Sequence, residues 1–279
     1  CSLRSATATL TATTRPISQG RDALNRGEAL LYAWRHTGNA AYFTKAKSIA
    51  LDVTSAAWPY WTQDNVTPSN WANVQMIDAA AFAILVAMVY RQGYDLLTPA
   101  ERAQLEAGSK GRFADRVLAD YAAQSDTQPY AFRAHYLNGY NNWVNVCKAA
   151  MDVWNGAFFR AYPETAKSIH LVARSRDYIE DNVFTAGGDW PESMDYKNYA
   201  MGYSMYGWKA LRDTHGHCFG RDTVGRIREL AYVYVMLGYL TATIDPAAVF
   251  LGVPSWVNNM PGSGSHIDQR RNWGAMSCP

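Results

Sequence analysis

Apart from Gln75 and Asp78, every residue from Val74 to Tyr90 is apolar, and a segment with no polar face is stable only when other elements surround it. Its length exceeds that of an ordinary strand, so it predicts an inner, buried helix. The longest unbroken apolar stretch, Ala79 to Val89, is too short to span a bilayer, and no membrane span or secretory leader is expected.

The segments around this helix carry the apolar face that would cover it. From Asp22 to Arg35, the residues Ala23, Leu24, Leu30, Leu31 and Trp34 recur at helical intervals, and Ala40 to Val53 repeats the pattern through Ala41, Phe43, Ala46 and Ile49. Thr37-Gly38-Asn39 between them is a helix stop and restart, so the two predict a helical hairpin. Leu97-Thr98-Pro99-Ala100-Glu101 supplies a Thr cap, Pro at the first helical position and an acid three residues after the cap. That helix is expected to run to about Tyr121, with its charged face outward. Further helices are predicted over Asn142–Phe159, Pro163–Asp181, Asn198–Arg212 and Thr223–Thr243. Strand-like alternation is scarce, which makes the class all-α, an array of antiparallel hairpins. Such hairpins can close into a ring of apolar inner and charged outer helices, with loops at one end forming a long cleft.

The organisation read from this pattern is a flexible N-terminal lead-in over 1–20, rich in Ser, Thr and Ala up to about Arg15, a helical domain over 21–253 and a C-terminal loop or linker over 254–279. With 279 residues, 48% of them hydrophobic, the chain can bury one large core or two small ones. A net charge of +2 without any run of Lys or Arg points away from nucleic acid, while leaving room for a local basic groove around an acidic ligand.

Aromatic residues are abundant, with 10 Trp and 18 Tyr, and many stand in polar contexts such as Trp58-Pro59-Tyr60-Trp61, Ser69-Asn70-Trp71 and Asn141-Asn142-Trp143. Flat rings beside hydrogen-bonding groups suit sugars, although core packing accounts for more than half of them. Cys1, Cys147, Cys218 and Cys278 allow three pairings if all are bridged, and Cys147, at helical spacing from Trp143 and Val144, reads equally well as a buried thiol. His215-Gly216-His217-Cys218 is too tightly spaced for an ordinary zinc site and reads as a helix-terminal turn, so neither metal nor cofactor is expected.

The segment Asn141-Asn142-Trp143-Val144-Asn145-Val146-Cys147 resembles the heparinase II/III-like polysaccharide lyases, whose corresponding helix often opens with Asn-Asn-Trp followed by a polar residue and Val-Cys. A second likeness lies in Gly187-Gly188-Asp189-Trp190-Pro191-Glu192-Ser193-Met194-Asp195-Tyr196-Lys197-Asn198-Tyr199, which is similar to the family's Gly-Gly-Trp-Pro-Glu-Gly segment with two further Tyr residues. Tyr32 to Ala50 and Ala72 to Glu106 resemble its helical domain more loosely. The resemblance implies an incomplete (α/α) toroid, here over 21–253, that cleaves uronate-containing polysaccharides by β-elimination. Relatives usually continue into a β-sandwich domain that can contribute a catalytic His. The tail from Pro254 reads as a linker, so either a fragment or a shortened relative is implied. A secreted or periplasmic setting follows, with Cys1 either a lipid-anchored mature cysteine or the end of a trimmed chain.

In β-elimination a weakly acidic proton beside a carboxylate must be removed while the glycosidic oxygen beyond it leaves. Neutralising the carboxylate suits an Asn amide, and the resemblance assigns this to Asn142, with Asn141 beside it. Tyr196 matches the family tyrosine that acts as acid or base, and a Tyr can do so when its pKa of about 10 is lowered or it works with a neighbour. His135 is either a second acid or base, a carboxylate partner or a surface residue; where many relatives place a His after the motif Asn, this chain has Trp143. Arg133 can grip a carboxylate through two contacts, Trp190 can stack on a sugar, Glu192 can bind a hydroxyl, and Tyr140, Trp143 and Tyr199 complete the expected substrate contacts. Two other functions suit the same features: a glycoside hydrolase on a similar toroid using Asp189, Glu192 and Asp195, or a glycan-binding domain without catalysis.

Overall fold

The computed structural model describes residues 16–58, 61, 76–122, 142–165, 202–207, 209–210 and 213–214. Its regular elements are α1 (Pro16–Thr37), α2 (Ala40–Thr54), α3 (Met76–Gln92), α4 (Pro99–Ser109), α5 (Asp115–Ala122) and α6 (Asn142–Phe158), with 3-10 turns at Tyr94–Leu96 and Pro163–Thr165. No strand occurs among the described residues, so the expected all-α class holds there. The chain divides into two compact units, Cys1–Val117 and Leu118–Pro279. The helix expected over Thr223–Thr243, the segment 254–279 and residues 1–15 lie outside the described residues, as does most of the helix expected from Pro163.

In the first unit, α1 begins at Pro16, inside the stretch whose composition reads as a lead-in. A proline at the first helical position loses no hydrogen bond, because its missing N–H would have had no intrahelical partner. The stop at Thr37-Gly38-Asn39 works as its chemistry predicts. Gly38 takes φ +69°, open to glycine without strain, and donates its N–H to Trp34 O at 2.8 Å. The Asn39 side chain then accepts from Ala41 N at 3.0 Å and starts α2. Across the hairpin, the rings of Trp34 and Phe43 lie 4.8 Å apart.

The predicted inner helix is α3, which is buried from Met76 to Tyr90 at every described side chain but the half-buried Met88. α1, α2 and α4 all pack against it. Gly27 of α1 lets the backbone come so close that an added Cβ would sit 2.1 Å from Leu85 Cδ1. α2 and α4 run in the same direction, since Lys47 meets Glu101 at 2.7 Å, Leu51 O accepts from Gln104 Nε2 at 2.7 Å, and Thr54 adjoins Gly108. The capping box at α4 is complete, with the Glu101 side chain accepting from Thr98 N at 2.8 Å and Thr98 Oγ1 from Glu101 N at 3.2 Å.

The helix expected to run unbroken to Tyr121 is interrupted by a π-helical turn at Lys110–Ala114. One extra residue in the turn shifts the phase, so the buried positions Leu105 and Ser109 continue at Phe113 and Val117. The same turn sets Arg112 at the end of α2, where its guanidinium donates to Val53 O at 2.8 Å and Ser55 O at 2.7 Å, carbonyls near or beyond the helix's last turn. Trp61, one of the aromatics in a polar sequence context, is 1% exposed. It stacks on Phe82 with centroids 5.4 Å apart and donates from Nε1 to Val53 O at 2.6 Å, so it serves the core and not a sugar.

In the second unit, every residue from Asn145 to Asn155 of α6 is buried, and Trp154 packs against Phe158 and Tyr162. Cys147 is a buried thiol. The segment 202–214, helical over 202–207, 209–210 and 213–214, lies directly against α6.

Candidate functional site

α6 is the one described element that couples a sequence-predicted site residue to an unusual local environment. Four of its buried side chains are polar: Asn145, Lys148 and Asp152 at 4% exposure each and Asn155 at 3%. Steps of three and four residues put all four on one stripe of the helix. Polar groups in such a setting are costly unless they are hydrogen-bonded, and charges more so. Lys148, Asp152 and Asn155 all have interaction partners. Asn145 differs, because its buried Nδ2 has no hydrogen-bond partner among the described residues.

The neighbour of this stripe is the segment 202–214. A Cβ on Gly207 would stand 3.0 Å from Ala149 Cα and 3.2 Å from Asp152 Oδ2, and a Cβ on Gly156 would stand 3.0 Å from Thr214 Oγ1. Both contacts advance together along the chain, so α6 and this segment run parallel. Small residues bring the backbones close, while Tyr203, Met205 and Ala210 are buried around the contact. The Tyr203 and Tyr206 rings meet edge-on at 6.2 Å.

Of the residues assigned from sequence, Asn142 and Trp143 are the first two residues of α6, which places them on the turn that leads into the polar stripe. Their side chains, and all of Tyr196, His135, Asn141, Arg133, Trp190, Glu192, Tyr199 and Tyr140, lie outside the described residues, as do Asp189, Asp195 and the His215-Gly216-His217-Cys218 turn. The sequence reading missed Asn145, Lys148, Asp152 and Asn155, although their spacing in an otherwise apolar helix was there to be seen.

Position at the first turn matters electrostatically. The first N–H groups of a helix have no intrahelical acceptor, and the macrodipole adds partial positive charge there, so the start of a buried helix favours an anion or a polar oxygen.

The first unit shows the contrasting use of polar groups. The Tyr90 hydroxyl donates to Glu106 Oε1 at 2.5 Å, and burial, reinforced by that carboxylate, holds its pKa well above the ordinary value. A proton held that firmly makes Tyr90 a structural donor and unsuited to act as a base. Burial lowers the pKa of Arg112, which stays cationic because a guanidinium begins so high. Hydrogen bonding from Lys47, then from Thr98, holds the Glu101 carboxyl below its usual value. Among the described residues no group of His, Cys, Asp and Glu is arranged to hold a metal ion, and no helix is long and apolar enough to cross a membrane. No family model matches the chain, and no curated protein matches it.

Proposed function

We propose that the chain is a polysaccharide lyase that cleaves a uronic-acid-containing polysaccharide by β-elimination on an incomplete (α/α) toroid. The observation that carries this is the polar stripe on an otherwise buried α6, which begins one turn after Asn142, the residue assigned to the carboxylate. A core helix gains nothing in stability from such a stripe, whereas a helix that borders a cleft can turn a polar stripe towards it. The two parallel helix pairs, α2 with α4 and α6 with the segment 202–214, also suit a toroid, in which successive outer helices share one direction and successive inner helices share the other.

In this mechanism Asn142, with Asn141 beside it, hydrogen-bonds the uronate carboxylate and makes charge build-up on the adjacent carbon tolerable. Tyr196 takes the proton from that carbon. The electron pair left behind forms the new carbon–carbon double bond as the bond to the glycosidic oxygen breaks, and that oxygen receives a proton from Tyr196 or from His135. Arg133, Trp190, Glu192, Tyr140, Trp143 and Tyr199 bind the flanking sugars. The enzyme belongs in a secreted or periplasmic setting, where such polymers are met.

Incubation with alginate, heparan, chondroitin, hyaluronan and glucuronans, followed by ultraviolet absorbance, tests the reaction, because only elimination creates a double bond conjugated to the carboxylate. At least one polymer is expected to give the signal, and Tyr196→Phe is expected to lower the rate by about 100- to 10,000-fold, the usual worth of an acid–base group. Elimination at the wild-type rate by that variant removes Tyr196 from the mechanism, and reducing ends without the absorbance identify a hydrolase instead.

A further inference from the structure

We infer that Asn145 is a substrate-binding residue whose amide N–H donates to the uronate carboxylate at the first turn of α6. Its identification of the anion as a uronate rests on the lyase reading above.

The inference starts from the side chain itself. Asn145 is 4% exposed, and its Nδ2 is buried without a hydrogen-bond partner among the described residues, a costly arrangement that a folded chain keeps only for a reason. A helical side chain leans back over the turn that precedes it, so the Asn145 amide stands over the turn that begins with Asn142. The first-turn N–H groups and the positive end of the macrodipole converge on the same place. All these groups are donors, so the missing partner is an acceptor.

The order of charges along the stripe points the same way. Lys148 comes next after Asn145, and the acid, Asp152, comes only one further turn along. Along this stripe the positive residue therefore lies nearer the first turn than the negative one does. A carboxylate fits there better than a neutral hydroxyl, because an ionised acceptor makes the stronger hydrogen bond with each donor.

The test is binding of glucuronate, mannuronate and galacturonate, with glucose as the uncharged control, to the full chain and to Asn145→Leu. These monosaccharides contain no glycosidic bond to break, so the readout does not depend on elimination. The wild type is expected to bind at least one uronate in preference to glucose, and Asn145→Leu to weaken that binding by about tenfold. The melting temperature of the variant should stay level or rise by a few degrees, because the replaced amide has no partner to lose. Asn145→Asp, which sets a second negative charge against the ligand, should weaken binding further. Equal uronate binding by Asn145→Leu and the wild type overturns the inference, and so does a wild type that binds none of the three. A lower melting temperature with unchanged affinity gives Asn145 a structural role and overturns it too. Binding that depends on Asn145, with no polymer yielding the ultraviolet signal, keeps the anion site and rejects the lyase. Elimination that proceeds while Asn145→Leu binds normally does the reverse.

Discussion

α3 and α6 are both buried along most of their described length, yet they treat polar groups in opposite ways. In α3 the residues from Ala79 to Val89 are apolar throughout, and the polar groups of its unit gather at helix ends: Arg112 on the carbonyls closing α2, Thr98 and Glu101 at the start of α4, and Tyr90 on Glu106. In α6 the polar groups occupy the middle of the helix, at Asn145, Lys148, Asp152 and Asn155. Burial alone therefore does not tell an apolar core helix from one that carries polar groups through its length. A helix that serves only the core keeps its hydrogen-bonding capacity at its ends, where the backbone requires it. Carrying polar groups through the core costs stability, and α6 opens with the Asn assigned to the substrate.

The largest effect that could break this contrast is expected at Asp152. Asp152→Ala should cost about 3–5 kcal/mol in urea unfolding, the loss expected if this buried carboxylate pairs with a cation. Lys148 is four residues away and on the same stripe, so Lys148→Met/Asp152→Leu should cost far less than that single change. A double variant as unstable as the two single losses added together would show that the two do not form a pair. Phe82→Ala in α3 should lose a similar amount, about 3–5 kcal/mol, but through a cavity that no charge change repairs.

Next in size is Arg112→Ala, with an expected loss of about 1.5–3 kcal/mol from its charged hydrogen bonds. Val53 O keeps its bond from Trp61, so most of the loss should arise at Ser55 O. Gly207→Ala should cost about 1–3 kcal/mol, because the new Cβ meets the backbone of α6, which cannot rotate away. Gly27→Ala meets only the end of Leu85 in α3, and a smaller loss there would sharpen the contrast between the two contacts.

The smallest expected effect is a pH dependence confined to the first unit. The folded Glu101 carboxyl is held below its unfolded value, so its contribution is complete above about pH 4.3 and is lost as pH falls through the lower, folded value. The urea midpoint of Lys47→Met should therefore lie below that of the wild type at pH 7, and the gap should narrow as the pH is lowered towards 3. A gap that stays constant over that range would mean that the Lys47–Glu101 contact contributes packing and no charge.

Several of these features could be read without a structure. The stop at Gly38, the cap at Thr98 with Glu101 and the inner position of α3 each depend on residues within a few positions of one another, and each stands where the sequence puts it. Trp61 shows the limit: its polar neighbours allowed a sugar-stacking ring as well as a core one, and it is buried because Phe82, distant in sequence, and Val53 O receive it. The π-helical turn was equally hidden, since no local residue announces it.

The same division holds at the candidate site. By itself the sequence determined the Asn142 that opens α6 and the spacing of Asn145, Lys148, Asp152 and Asn155, because helical periodicity is a local property. Only the tertiary structure decided that the stripe is buried, that Gly207 and Gly156 bring a parallel segment against it, and that the Asn145 amide has no acceptor among the described residues. Burial and hydrogen-bond pairing depend on which distant residues arrive at a position, and that is settled only when the helices pack.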